Sequence, residues 1–215
     1  MATHSITVDR DAALRRGRRL EYFTVGWNSL EALASILAGI LAGSIALVAF
    51  GLDSVIETVS GVALIWRLHQ SNDAAHRRAA AEKTSLRIVG VCFVLLAVYV
   101  LVDSAHALFT HEIPDRSIFG IVVTIVSVIV MPLLARAKRK VAVAISSNAL
   151  HADSRQTDLC AYLSAIVLVG LSLNAFLGWW WADPVAGLLM VPIIASEGRD
   201  ALRGKDCGCH DTECQ

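Results

Sequence analysis

Residues Ser44–Arg67 read SIALVAFGLDSVIETVSGVALIWR. The stretch is long and apolar enough to cross a bilayer as a helix, which takes about 20 residues. Yet it carries Asp53 and Glu57 near its middle. A carboxylate inside a membrane helix costs about 2.5–3.5 kcal/mol on insertion scales. Two of them at i, i+4 share one helix face. A surface pair at a helix end would be the ordinary explanation, but Val59–Trp66 continues the apolar run beyond Glu57. The alternative is a pair of oxygen ligands for a cation in transit.

The rest of the chain has the composition of a multi-pass membrane protein. It is 55% hydrophobic with a mean hydropathy of +0.58, too apolar for a soluble domain. Net charge is zero, but Lys and Arg gather in four clusters: Arg10–Arg19, Arg67–Arg87, Arg136–Lys140 and Arg199–Lys205. The five Cys are too few and wrongly placed for a disulfide framework. The N-terminus is polar and Arg-rich, without the pattern of a signal peptide.

Basic clusters belong on the cytosolic side of a membrane. The 47 residues between Arg19 and Arg67 would extend about 70 Å as one helix, roughly twice a bilayer core. Two spans therefore fit, Tyr22–Ala42 and Ser44–Trp66, joined by a tight turn near Gly43. The same arithmetic gives Ile88–Phe109 and Ile118–Leu134 with an outer turn at His111–Ser117. It then gives Val141–Phe176 and Pro184–Ala195 with a turn around Gly178–Asp183. The predicted fold is an all-α membrane protein of six transmembrane helices in three hairpins, with both termini cytosolic. Residues 1–19 form a cytosolic arm, 20–202 the membrane domain and 203–215 a cytosolic tail. Trp179, Trp180 and Trp181 belong at the outer interface. Asp183-Pro184 reads as an N-cap followed by a first helical proline. Ser35, Gly39 and Gly43 make a small-residue stripe suited to close helix packing.

The fifth helix starts with an unusually polar run, Ser146 to Asp158, whose first turns are expected to line a water-filled cavity or extend below the membrane. Its Ser147-Asn-Ala-Leu-His-Ala152 matches Ser44-Ile-Ala-Leu-Val-Ala49 at four of six positions. In that register Gln156 stands opposite Asp53, and Cys160 opposite Glu57. Transporters often place a site between such repeats. Asn28, Glu31, His151 and Asp153 are further candidates for a secondary metal or proton path. Glu31 serves equally well as a snorkelling or capping residue.

SxALxA followed by a ligand pair at i, i+4 on the second and fifth of six helices resembles the cation diffusion facilitator, or cation efflux, family. The family pattern is S-x-A-L-x-A-D-A-x-H-x-x-x-D on both helices. Asp53 and Gln156 stand at the His positions, and Glu57 and Cys160 at the final Asp positions. The lead motif's acidic residue is Phe50 in the first copy and Asp153 in the second. The resemblance implies a short, divergent member without the family's cytosolic C-terminal domain. It also implies export of a divalent metal ion, most often zinc, from the cell in exchange for protons, by a homodimer in the lipid bilayer.

Asp53, Glu57, Gln156 and Cys160 would offer the metal three oxygens and one sulfur. Oxygens suit Mn²⁺, whereas a thiolate draws the set toward Zn²⁺, Cd²⁺, Co²⁺ or Fe²⁺. In antiparallel packing Asp53 should lie level with Cys160, and Glu57 with Gln156. Cys207, Cys209, His210 and Cys214 form a Cys/His cluster suited to metal capture, set against the plain alternative of a frayed terminus. No resident cofactor and no nucleic-acid partner is expected. An enzyme has little support, since the chain has no H-E-x-x-H and no clear nucleophile–base pair. The competing function is a membrane metal sensor or assembly partner that binds without transport.

Overall fold

The computed structural model of the chain describes residues 2–69, 75–145 and 147–203. They form six helices: α1 (Ala2–Ala42), α2 (Ile45–His69), α3 (Ala75–Thr110), α4 (Ile118–Ile145), α5 (Asn148–Leu177) and α6 (Ala182–Leu202). Five of them carry stretches long and apolar enough to cross a membrane: Ala12–Ala42, Ile45–Trp66, Arg87–Thr110, Ile118–Ile145 and Asp153–Leu177. The sixth is interrupted by Asp183 near its start and by Glu197, Arg199 and Asp200 toward its end. It packs along α3. The chain is an all-α membrane protein, as its composition predicts.

The burial pattern is that of a bundle facing lipid. Leu41, Val102, Phe109 and Ile129 on the outside are mostly exposed, while Thr24, Asn28, Ser35, Ser54, Thr124 and Ser127 are fully buried. Lipid cannot hydrogen-bond a side chain, so polar groups turn inward toward one another.

Two serines explain the SxALxA repeat. Ser147 has extended backbone angles and its hydroxyl accepts from the Leu150 amide at 3.3 Å, which caps the start of α5. Ser44 accepts from the Leu47 amide at 3.2 Å in the same way, directly before α2. In both copies the motif starts a helix by satisfying one of its unbonded first amides.

Several boundaries differ from expectation, among them the start of α3 at Ala75 and the end of α6 at Leu202. The arm and the first span are one uninterrupted helix, α1, because Met1–Tyr22 contains no strong helix breaker. The fourth helix does not stop at Leu134 but runs through the basic cluster to Ile145. Lys, Arg and Ala are good helix formers, and the break comes only before the Ser147 cap, so Val141–Ile145 belong to α4. Asp183 is not the cap of α6, whose preceding residue is Trp181. It caps α2 instead. Its Oδ2 accepts from the Ile45 amide at 2.9 Å, and its Oδ1 from the Ser44 hydroxyl at 2.5 Å.

Chain neighbours are not always packing partners. α1 packs on α2, but α3 packs chiefly on α6 and α4 chiefly on α5 and α1. The α1–α2 contact is backbone-close. A Cβ on Gly51 would come 2.9 Å from the Ile36 nitrogen, and one on Gly39 2.8 Å from the Val48 nitrogen. The small-residue stripe of α1 is thus spent inside the chain, and Gly43, at φ 63, makes the turn into α2.

At the same end the 111–117 loop is pinned from two sides. The Asp115 amide donates to Ala42 at 2.8 Å, and the Asn174 side chain donates to Pro114 at 3.0 Å. Trp179 stacks on Trp181 with ring centres 5.0 Å apart, and Trp180 lies against His111. The core fills the middle of the bundle around Phe50, Leu47, Met131, Leu163 and Met190.

Asp183→Ala would leave the Ile45 amide and the Ser44 hydroxyl without their buried acceptor. It should lower stability by about 1–3 kcal/mol, read as a drop in Tm of the purified protein in lipid nanodiscs. An unchanged Tm would show that the cross-helix cap contributes nothing.

Candidate functional site

Each helix of the inner four contributes a polar stripe. On α1 the buried positions Glu21, Thr24, Asn28, Glu31 and Ser35 recur every three or four residues, which is one helix face. On α2 Asp53, Ser54 and Glu57 are buried; on α4 Thr124, Ser127 and Lys138; on α5 Asp153, Ser154, Thr157, Cys160 and Ser164. These stripes meet in a polar column through the bundle.

The upper part of the column holds three of the four residues expected as metal ligands. Cys160 is buried, and its Sγ lies 3.8 Å from Oε2 of Glu31. Asp53 and Glu57 both come within interaction range of the same thiol. Cys160 therefore lies near both carboxylates of α2 rather than level with Asp53 alone. Glu31 is drawn into the group as well. Ser54 donates to its Oε2 at 2.9 Å, and Ser127 and Trp27 border it. Its Oε1 and one oxygen of Glu57 are buried without a hydrogen-bond partner. Glu197 of α6 lies within electrostatic range of Asp53.

The fourth expected ligand sits differently. Gln156 is half-buried, with its Nε2 buried and unpartnered. The residue touching Glu57 is its neighbour Thr157, whose hydroxyl donates to Glu57 Oε1 at 2.7 Å. Asn28 is fully buried with both amide atoms unpartnered. His151 is exposed and outside the column. The Cys207, Cys209, His210 and Cys214 cluster lies outside the described residues. Among the described residues, no three His, Cys, Asp or Glu side chains converge as a closed metal site would. The arrangement is open: three carboxylates facing one thiol from neighbouring helices.

Below Glu57 the column continues through a group that sequence reading placed in a solvated basic cluster. Lys138 is fully buried. Its ammonium pairs with Asp153, lies 3.4 Å from Oε1 of Glu21 and donates to Thr157 at 3.2 Å. Four helices therefore meet at this point: α1 through Glu21, α4 through Lys138, α5 through Asp153 and Thr157, and α2 through Glu57. The neighbouring Arg139 pairs with Asp158 at the half-exposed rim. Lys138 was missed because it lies inside the basic cluster Arg136–Lys140, and Glu21 because it follows closely on the basic cluster Arg10–Arg19. The available signal was spacing: Glu21 falls seven residues before Asn28, on the same helix face as Glu31.

Removing one partner of a buried ion pair strands the other charge. Asp153→Ala should cost about 3–5 kcal/mol, measured by thermal unfolding in lipid. Adding Lys138→Met to Asp153→Ala should recover part of that loss. Strictly additive losses would show that the two groups do not depend on each other.

The cation efflux transmembrane domain profile matches residues 23–204. The chain is 28% identical over 182 residues to transmembrane protein 163 of Xenopus laevis, covering 81% of this chain and 63% of that protein. It is 25% identical to the cation-efflux pump FieF of Shewanella oneidensis, covering 77% of this chain and 57% of the pump. An uncharacterised transporter of Methanocaldococcus jannaschii is 26% identical, with 80% of this chain and 62% of that protein covered. The chain thus spans about three-fifths of the length of these relatives. With the profile covering nearly all of the helical bundle, the chain belongs to the cation efflux family.

Proposed function

We propose that this chain exports a divalent transition-metal cation, zinc foremost, across the cell membrane in exchange for protons. The observation that supports this most is the burial of three carboxylates, Glu31, Asp53 and Glu57, within interaction range of the Cys160 thiol. Membership of a transporter family, rather than a family of enzymes, supports it from the other side.

The chemistry follows from the donors. Carboxylate and thiol ligands bind a metal in their deprotonated forms, so metal entry releases protons and protonation releases metal. Oxygen donors accept Mn²⁺ and Zn²⁺ alike, and the sulfur favours the softer ions. Asp53, Glu57 and Cys160 act as ligands, with Gln156 as the neutral fourth donor. Glu31, in contact with the thiol, and Asp153 extend the path on either side. The Cys/His tail captures metal for delivery. Both termini face the cytosol, where the basic clusters are held. The working unit is a homodimer, on the strength of the family resemblance.

Liposome flux under an imposed pH gradient tests this proposal. Asp53→Ala and Glu57→Ala should each lower metal flux by at least about tenfold, the cost of losing even an outer partner of a metal ligand. Cys160→Ser replaces a soft donor by a hard one, so Zn²⁺ and Cd²⁺ flux should fall more than Mn²⁺ flux. Equal flux from wild type and Asp53→Ala would overturn the assignment. Metal binding without flux by the wild type would favour the sensor.

A further inference from the structure

We propose that Lys138 is a tethered cation: its ammonium occupies a seat one hydroxyl away from Glu57 and competes there with the transported ion. The proposal rests on the transport reading above for its cargo, a divalent metal cation.

Three observations carry it. First, Lys138 is fully buried and lies between Glu57 and the end of the bundle where α4 stops and α5 starts. Asp153 is one helical turn nearer that end than Thr157, so Lys138 stands below Glu57 in the column. Second, the ammonium reaches Glu57 through a single hydroxyl. Lys138 donates to Thr157 at 3.2 Å, and Thr157 donates to Glu57 at 2.7 Å. Third, the groups around it have spare acceptor capacity. Glu21 Oε2, Asp153 Oδ1 and Glu57 Oε2 are all buried without a hydrogen-bond partner. One ammonium is thus set among three carboxylates that it does not saturate.

The apolar cap of Leu64, Val141, Ile145 and Leu150 packs at the same end and keeps the seat inside the bundle. A metal ion held by Glu57 would lie close to a fixed positive charge. In a medium of low dielectric that repulsion is large. It would weaken metal binding and hasten metal departure. Lys138 acts by occupying the seat.

The test compares Zn²⁺ binding by calorimetry, on the full chain in nanodiscs, with Zn²⁺ flux in liposomes. Lys138→Gln keeps a donor toward Asp153 and Thr157 but removes the charge. It should tighten Zn²⁺ binding and lower the half-saturating concentration, each by about tenfold, while the maximum rate falls by a similar factor. Lys138→Arg should behave as wild type. Thr157→Val should act in the opposite sense, raising the half-saturating concentration, because Glu57 loses the donor that orients it.

Binding that is unchanged or weaker in Lys138→Gln overturns the tethered cation, even if the wild type transports. A wild type that binds Zn²⁺ without moving it sinks the transport reading alone, and the binding comparison then decides Lys138. Should Lys138→Gln fail to fold, the double variant Glu21→Gln with Lys138→Gln preserves the net charge of the trio. It should also bind Zn²⁺ more tightly, and no tightening there overturns the proposal.

Discussion

A lysine ammonium with no exposure, inside a bundle of membrane-crossing helices, is sustained only by its partners. Left alone it would cost about 2.5–3.5 kcal/mol on insertion scales. Lys138 has Asp153 and Glu21 as counter-charges and Thr157 as a hydrogen-bond acceptor. Because these partners come from α1 and α5, satisfying one charge fixes the position of three helices. Thr157 carries the link to α2 through Glu57. The inner four helices are thereby held in one register at the depth of the candidate site. α3 and α6 pack on each other with glycine against glycine: a Cβ on Gly90 would meet the Gly198 carbonyl at 3.0 Å. Tight packing of small residues joins that outer pair, and buried charge joins the inner four.

The fold was legible because lipid imposes a simple rule on composition. Spans must be apolar and about 20 residues long, and turns must break them. Gly43 and Gly178, both at positive φ, stand where the turns were expected. The end of α4 was not legible, because Arg136–Lys140 reads as a cytosolic flank. Charge alone does not say whether a residue is solvated or paired. Lys138 is buried and Lys140 is exposed, two residues apart on one helix. What separates them is which face meets α1 and α5, and that is a tertiary fact. Asp183 is similar. Its sequence context, just before Pro184, fits a local cap, yet it lies beside the first amides of α2 and serves those.

The candidate site was partly legible for a related reason. The SxALxA repeat sets the starts of α2 and α5 through Ser44 and Ser147, so positions counted from those caps fall at matching depths from opposite ends of the bundle. Counting from the caps placed Asp53, Glu57 and Cys160 together. It named Gln156, whereas the residue touching Glu57 is Thr157, because adjacent residues on a helix differ by about 100° in direction at nearly the same depth. It also says nothing of α1, which has no copy of the motif. Glu31 reaches the thiol because its helix lies backbone-close to α2, at the Gly51 contact.

Charge balance ties the two halves of the column together. Glu21, Glu31, Asp53, Glu57 and Asp153 are all buried, and Lys138 is the one buried basic side chain among the described residues. A bundle surrounded by lipid cannot hold so large an excess of carboxylates as bare charge, since uncompensated buried ions cost several kcal/mol each. The balance must come from bound cations, and two kinds are available: protons and metal ions. Under the transport proposed above, a metal ion that enters would displace protons, and one that leaves would be replaced by them. Exchange would then follow from burying the carboxylates together, whatever the ion. The ammonium of Lys138 would reduce the number of mobile charges such a column must carry, and its pairing with Asp153 and Glu21 makes it part of the scaffold as well.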